Sequence, residues 1–380
     1  MAFFDRPKVV LCTSSSGSGR DDYLEEFESV LSQRQRAHVH TYSLRDEMLK
    51  LFDAAGVRTG VRNILDLDDA TRGRYRAQAI NTIRAKWQNP DCYIVSTPHP
   101  IMWRGGEKDG LSIEDVHNLN PDMFVTIVDD VLRTRVMLQA DKQFEGQSFS
   151  LKEIAQWRGA AINSARQFST VAQAQRPFYL IPRDHPPEVL RDLIFAPKKG
   201  RAYFSFPITN ASKKDIRQAK RFVQELRRKY IVFDPLTIQD HVIISASSSS
   251  EALKRHTMAA TIQYRKGKLK FTCQVKEVRN AEEALDTQVV ERDERLIDQS
   301  EVVIVYYPVK AFSAGVIYEM FYGKKLVSKH VYAWHPYRPS PFFKYLCDDR
   351  KVFSNFEQFR RVLMSTKVCR AAISSWGEKV

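Results

Sequence analysis

Two carboxylates in the second half of the chain, Asp293 and Glu319, lie on either side of a hydrophobic strand and are residue types that can act as nucleophile or proton donor. Asp293 lies in a charged helical run before a hydrophobic strand, and Glu319 follows the strand-end loop in the first turns of the next helix. Ligands of parallel sheets bind outside the carboxyl ends of the strands, so both side chains could reach one crevice. One carboxylate can stabilise positive charge at an anomeric carbon while another group protonates the departing base. Alternatively, Asp293 is a solvated helix residue and Glu319 is favoured only by the helix dipole.

A Ser/Gly-rich loop near the start of the chain could bind an anion. It follows the apolar residues 8–13 and precedes a helical pattern, so N–H groups at a helix N-terminus would face a phosphate. Relative to the P-loop pattern G-x-x-x-x-G-K-[ST], Ser14 replaces the first Gly, Arg20 the Lys and Asp21 the metal-binding hydroxyl. The candidate phosphate ligands in this loop are Gly17, Ser18, Gly19 and Arg20. The alternative is a helix cap, with Ser18 or Asp21 as the N-cap residue.

Alternating strands and helices must position these residues. Short apolar runs predict strands at 8–13, 91–97, 123–128, 177–181, 202–206, 231–233, 302–307 and 325–328. Helical spacing predicts helices at 70–87, 151–173, 212–230, 281–299 and 315–322. The alternation is typical of parallel sheets covered by helices, so we expect an α/β protein with two domains. Pro, Gly and two lysines at 196–200 place the domains at 1–197 and 201–380.

Two segments of the second half interrupt this alternation. Residues 261–277 alternate polar and apolar types around Lys266 and Gly267, which predicts a basic β-hairpin. Residues 245–250 are nearly all serine and predict a polar loop.

The positive charge is concentrated in the second half. Residues 1–200 hold 27 Lys or Arg against 26 Asp or Glu, whereas residues 201–380 hold 32 against 19. Such a surface attracts phosphates. Because the hairpin lacks the aromatic interleaving of a single-strand stacking platform, nucleic-acid binding is possible but not favoured, and the basic helix at 212–230 is interpreted as a solvated face.

The composition excludes several classes of protein. A hydrophobic fraction of 43% excludes a wholly disordered chain. The five cysteines have no metal-ligand spacing, and no apolar run approaches the length of a membrane span. We therefore expect a cytoplasmic protein without membrane contact.

Over roughly residues 201–362 the sequence resembles the nucleoside 2-deoxyribosyltransferase family. The resemblance is carried by AYFSFPIT, FDP, RDERLIDQSEVVIV and SAGVIYEMFYGKKLV. It implies a smaller Rossmann-like parallel sheet, a nucleophilic or charge-stabilising Glu319, and Asp293 as the acid for the departing base. The substrate-binding residues that it implies are Phe206, Pro207, Ser313 and Gly315, with Phe206 stacking on the base. Ser313 stands where many members have Asp and Val316 where they have Thr, which favours hydrolysis or another substrate over transfer between bases. Family members commonly assemble, so a homo-oligomer is also implied.

Roughly residues 8–196 resemble the adenylate-kinase-like P-loop NTPases. The resemblance is carried by the loop at 14–21, the segment STPHPIMWRGG and the acidic pair Asp129 and Asp130. It implies a P-loop kinase-like sheet that binds ATP or another nucleotide with Mg²⁺, with Asp129 near the metal.

The expected function is cleavage of the N-glycosidic bond of a nucleoside or nucleotide through Glu319. The alternatives are a nucleotide kinase with an accessory second domain, and a non-catalytic nucleotide sensor or partner-binding protein.

Overall fold

The computed structural model describes residues 4–56, 63–172 and 175–365. By contacts the chain divides into two compact units. Unit 1 comprises Met1–Pro187 and Ile238–Gln288, and unit 2 comprises Glu188–Thr237 and Val289–Val380. This grouping differs from a single cut between 197 and 201, because residues 238–288 belong with the first sheet.

The elements are numbered in chain order. The strands are β1 (Lys8–Ser14), β2 (Val39–Ser43), β3 (Cys92–Pro98), β4 (Ile101–Trp103), β5 (Gly106–Lys108), β6 (Met123–Val128), β7 (Phe178–Pro182), β8 (Gly200–Ser205), β9 (Tyr230–Phe233), β10 (Thr257–Tyr264), β11 (Gly267–Gln274), β12 (Val302–Tyr306), β13 (His330–Trp334) and β14 (Val352–Phe353). The helices are α1 (Arg20–Ser29), α2 (Gln33–Arg36), α3 (Leu44–Ala54), α4 (Asp69–Arg84), α5 (Ile113–Leu119), α6 (Val131–Ala140), α7 (Leu151–Val171), α8 (Glu188–Phe195), α9 (Lys213–Leu226), α10 (Asp240–Ser247), α11 (Ser250–Arg255), α12 (Val275–Asp298), α13 (Ala314–Phe321), α14 (Pro341–Tyr345) and α15 (Phe356–Leu363).

The sheet of unit 1 has five parallel strands in the order β2-β3-β1-β6-β7. Its central strand β1 pairs with β3 and β6, so Leu11 lies between Val95 and Phe124. These three strands are almost wholly buried because helices cover the sheet, which is why they read as continuous apolar runs. The hairpin β10–β11 and helices α10 and α11 complete this unit.

The sheet of unit 2 also has five parallel strands, in the order β14-β13-β12-β8-β9. Strand β8 lies between β12 and β9, with Ala202 opposite both Val302 and Val232. Helix α9 buries Ala219, Phe222, Val223 and Leu226 and exposes its lysines, as its sequence predicts. The expected fold class, two α/β parts each with a parallel sheet, is confirmed.

Two local predictions are wrong. Residues 325–328 were expected to form a strand, but a π-helical turn at Tyr322–Leu326 extends α13 and the strand begins at His330. Residues 245–250 were expected to form a loop, but α10 ends at Ser247 and α11 begins at Ser250, with the Ser249 hydroxyl capping α11. Among the described residues, none of the helices combines the length and apolar character that crossing a bilayer requires.

Candidate functional site

Glu319 lies on α13 and points at strand β8. The Tyr203 hydroxyl donates a hydrogen bond to Glu319 Oε1 at 2.9 Å, and the Ser205 hydroxyl donates to Oε2. Tyr203 and Ser205 are two residues apart on β8 and therefore share one face of the sheet. Only 9% of Glu319 is exposed. Two hydroxyl groups thus fix both oxygens of a buried carboxyl group.

Burial controls the ionisation of this carboxyl group. It raises the pKa of Glu319 to about 8, and the negative charge of Asp293 acts in the same direction. The hydrogen bonds from Ser205 and Tyr203 favour the ionised form and offset part of this rise in pKa. Glu319 is therefore mostly protonated at neutral pH.

Asp293 lies on α12 close enough to act on the charge of Glu319. Arg292 Nε donates to Asp293 Oδ1 at 3.0 Å. Burial raises the pKa of Asp293, the Arg292 guanidinium opposes this rise, and the charge of Asp234 adds to it. The two predicted carboxylates therefore belong to one electrostatic group, which also includes Arg292 and Asp234.

The loops that follow β8 and β12 are tied together at the carboxyl edge of the sheet. Asn210 Nδ2 donates to the carbonyl oxygen of Phe312 at 2.9 Å. The Tyr307 hydroxyl donates to the carbonyl oxygen of Ala311 at 2.8 Å. Ser313 is the N-cap of α13 but makes no side-chain capping bond, and a Cβ at Gly315 would meet no atom within 4 Å. The start of α13 therefore borders open space.

The other predicted residues of unit 2 lie mostly in the core. Phe206 is 3% exposed and packs against Tyr306 with ring centroids 6.1 Å apart, and Pro207 is buried beside it. Stacking of Phe206 on a base stays a prediction, and most of its surface is covered by protein. Tyr203 and Ser205 were missed as functional residues, although the Tyr-x-Ser pattern on a strand places both hydroxyls on one face.

In unit 1 the Ser/Gly-rich loop forms a cavity of about 310 Å³, lined by residues 14–22 and by Arg45. Gly17 and Gly19 have φ values of 75° and 68°, which favour glycine. Gly19 is the N-cap of α1 and no side chain caps this helix, so the alternative with Ser18 or Asp21 as the N-cap residue is wrong. The Ser18 hydroxyl is buried and has no hydrogen-bond partner among the residues that the structure describes. Arg20 Nε donates to Asp21 Oδ1 at 2.8 Å.

Asp129 lies directly after β6 but does not line this cavity. Its Oδ1 accepts the N–H of Asp130 at 2.8 Å, and its Oδ2 accepts a bond from Arg133. Burial raises the pKa of Asp129 to about 6, although Arg133 opposes the rise. Within the described ranges, no group of three or more His, Cys, Asp or Glu residues could hold a metal ion. Because Asp129 lies outside the cavity and is paired with Arg133, these residues do not fit the implied Mg²⁺.

The comparisons with known proteins give little. No family model matches the chain, and no curated protein matches it. Among solved structures, an unliganded sugar kinase from Janibacter sp. HTCC2649 is similar at 12% sequence identity and a TM-score of 0.28. The match covers 50% of this chain and 95% of the sugar kinase. No argument about function rests on a likeness at this TM-score.

Proposed function

We propose that unit 2 cleaves the N-glycosidic bond of a nucleoside or nucleotide through Glu319. The observation that carries this proposal is the buried carboxyl group of Glu319, held at both oxygens by Tyr203 and Ser205 and paired electrostatically with Asp293. A pair of acids whose surroundings shift their pKa values suits a reaction that needs one nucleophile and one proton donor. The open start of α13, with Ser313 and Gly315, is the proposed place for the sugar.

The pair of acids holds one proton, and the reactive form is the less populated one, in which Asp293 carries that proton and Glu319 is ionised. In the first step an ionised Glu319 oxygen bonds to C1′ as the C1′–N bond breaks. The electron pair of that bond leaves with the base, and the neutral carboxyl group of Asp293 donates its proton to the base nitrogen. In the second step Asp293 takes a proton from water, which attacks C1′ and releases Glu319 as a carboxylate. Tyr203 and Ser205 stabilise the Glu319 carboxylate before it bonds to C1′ and again after water has released it. Transfer to a second base would replace the water.

A second candidate function is nucleotide binding by the loop of unit 1. The observation that favours it is the Ser18 hydroxyl, which is buried without a partner beside a cavity at the N-terminus of α1. Gly17, Gly19 and Arg20 would complete the phosphate site, since the loop N–H groups and a guanidinium are suitable ligands for an anion. A nucleotide such as ATP is the proposed ligand, held for phosphoryl transfer or for sensing.

One experiment separates these functions. The full chain is incubated with ATP, with NAD and with a panel of nucleosides and nucleotides, and the products are identified by chromatography and mass spectrometry. Release of free base that is lost in Glu319→Gln supports the proposal. Glu294→Gln is the matched control, because Glu294 is the neighbour of Asp293 and accepts a hydrogen bond from the Tyr318 hydroxyl. Transferred phosphate without free base would support a kinase instead, and no product with retained binding would support a sensor.

A further inference from the structure

Several exposed aromatic residues of unit 2 stand on segments that follow neighbouring parallel strands. Phe312 follows β12 and is 74% exposed, whereas Tyr337 and Phe342 follow β13 and are 41% and 84% exposed. Strands β12 and β13 pair in parallel, so the segments after them begin at the same edge of the sheet. We call Phe312, Tyr337 and Phe342 the aromatic edge.

Side-chain contacts fix the backbone that carries the aromatic edge. The Tyr307 ring contacts the rings of His335 and Phe343 at centroid distances of 5.0 and 5.6 Å. His335 Nδ1 lies 3.0 Å from the carbonyl oxygen of Tyr307. Lys310 Nζ lies 5.0 Å from the centroid of the Tyr337 ring, which joins the two segments. Together with the bond from Asn210 to Phe312, these contacts fix the backbone while the aromatic rings stay exposed.

The charge around the aromatic edge is positive. Residues 302–347 carry six Lys or Arg and one buried carboxylate, Glu319, and among the six cations Lys324 is paired with Asp348, just beyond this range. Lys310, Arg338 and Lys344 are exposed, and each lies within two residues of an exposed ring of the aromatic edge. In the basic hairpin of unit 1, by contrast, the rings of Tyr264 and Phe271 are partly buried under Arg133 and Arg135.

We infer that the aromatic edge binds single-stranded nucleic acid, with the rings stacking on bases and the cations pairing with phosphates. A stacking surface beside a track of positive charge is how proteins bind single strands without sequence preference. The inference rests on the proposed function in one respect, because it names a nucleobase within a single strand as the substrate class of Glu319. α13, which carries Glu319, begins directly after Phe312 and Ser313.

Two other partners fit less well. A symmetric dimer through this surface would bring Lys310, Arg338 and Lys344 against their own copies, and like charges would repel across the interface. An anionic lipid surface would attract the same charges. Binding to a lipid surface does not, however, require flat rings beside cations on a fixed backbone.

The test is binding of the full chain to a fluorescein-labelled oligothymidylate of about 15 nucleotides, measured by anisotropy over a range of salt concentrations. We expect Phe312→Ala and Phe342→Ala each to raise Kd about tenfold, which is the typical effect of losing one stacked base. The double variant Lys310→Glu/Lys344→Glu should weaken binding and reduce its salt dependence. A duplex of equal length should bind more weakly, because its bases are already stacked.

Matched controls identify the surface. Phe321→Ala removes an exposed phenylalanine at the other end of α13 and should leave Kd unchanged. Lys213→Glu/Lys220→Glu makes the same charge change on α9 and should lower affinity only slightly. The inference is overturned if the wild type does not bind the single strand, if the duplex binds equally well, or if only the α9 variant loses binding. Binding to phosphatidylserine vesicles but not to the single strand, or dimerisation lost in Phe312→Ala, would also overturn it.

The binding test is independent of cleavage. Binding without release of any base would leave the aromatic edge supported and the glycosidase proposal wrong. Release of base from free nucleosides without single-strand binding would support the glycosidase proposal and show that the inference about the aromatic edge is wrong.

Discussion

The Tyr203 hydroxyl donates to Glu319 Oε1 at 2.9 Å, which joins the central strand β8 to helix α13 through a buried carboxyl group. Carboxylic acids are rarely buried in protein interiors, because the ionised form is costly to remove from water. Here the hydrogen bonds from Tyr203 and Ser205 reduce that cost. The arrangement keeps an acid that can change charge beside the open start of α13.

Glu319→Gln tests the proposed nucleophile directly. The amide keeps the size of the side chain but cannot form the bond to C1′, so base release should fall by on the order of a hundredfold or more. Ligand affinity, measured by calorimetry, should change little. Base release at the wild-type rate in Glu319→Gln would show that the carboxylate mechanism is wrong.

Asp293→Asn tests the proposed proton donor. Because a poor leaving base needs a proton and an activated one does not, the variant should lose more activity toward natural nucleosides than toward nitrophenyl glycosides. The rates on both substrates are measured at one pH. Equal losses on the two substrates would contradict the assignment of Asp293 as the acid.

Tyr203→Phe should shift the pH dependence of base release. The hydroxyl stabilises the ionised form of Glu319, so its loss raises the pKa of that carboxyl group further. In the wild type activity should fall as pH rises through about 8, because the pair then loses its last proton and Asp293 can no longer protonate the base. In Tyr203→Phe this fall should move to higher pH. Tyr306→Phe removes another buried phenolic hydroxyl of the same sheet and should leave the midpoint in place. An unchanged midpoint in Tyr203→Phe would mean that ionisation of Glu319 does not limit the reaction.

Glu319 should also make the stability of unit 2 depend on pH. Its folded-state pKa of about 8 lies above the ordinary value of 4.5, so the folded state binds the proton more tightly. The stabilisation is complete below pH 4.5 and is lost as pH rises through about 8, at about 1.4 kcal/mol for each tenfold difference in proton affinity. The amide of the Glu319→Gln variant cannot ionise, so this variant should gain stability relative to the wild type across this range. Hydrogen exchange of β8 and β12, measured for the variant and the wild type at matched pH, gives the difference in stability. A difference that stays constant between pH 5 and pH 9 would contradict the raised pKa of Glu319.

Ser18→Ala should have effects of opposite sign on stability and on binding. Its hydroxyl is buried without a partner, so removing it should stabilise the ligand-free protein by about 1 kcal/mol. The same change should weaken binding of ATP, and Arg20→Ala should weaken it further. Ser16→Ala alters a half-buried serine of the same loop and serves as the control. No binding of ATP by the wild type would leave the loop without a ligand role.

Continuous apolar runs made several strands predictable from the sequence. Met123–Val128 is buried along its whole length and has the predicted bounds, and the hairpin was found through its alternation. Val39–Ser43 was missed because this edge strand is only half-buried and has no apolar run. The strand expected at 325–328 was misplaced because apolar residues there belong to a π-helical turn, which has no separate pattern.

The site was only partly predictable for a related reason. Glu319 and Asp293 were found from their places relative to a strand and its loop. Tyr203 and Ser205 lie more than a hundred residues before Glu319, and only the register between β8 and β12 brings them near α13. The aromatic edge depends in the same way on two segments that the pairing of β12 with β13 places at one edge.

The division of each unit into two chain segments determines how this protein can be made and dissected. Asp130 follows β6, yet it accepts the N–H of Gln239, and Asp240 Oδ1 accepts the N–H of Val131 at 3.2 Å. During synthesis, therefore, the first sheet emerges from the ribosome well before its own second segment does. A gene truncated after residue 197 would encode that sheet without Gln239 and Asp240 and without the hairpin. Expression of unit 1 alone requires a fusion in which a short linker replaces residues 188–237.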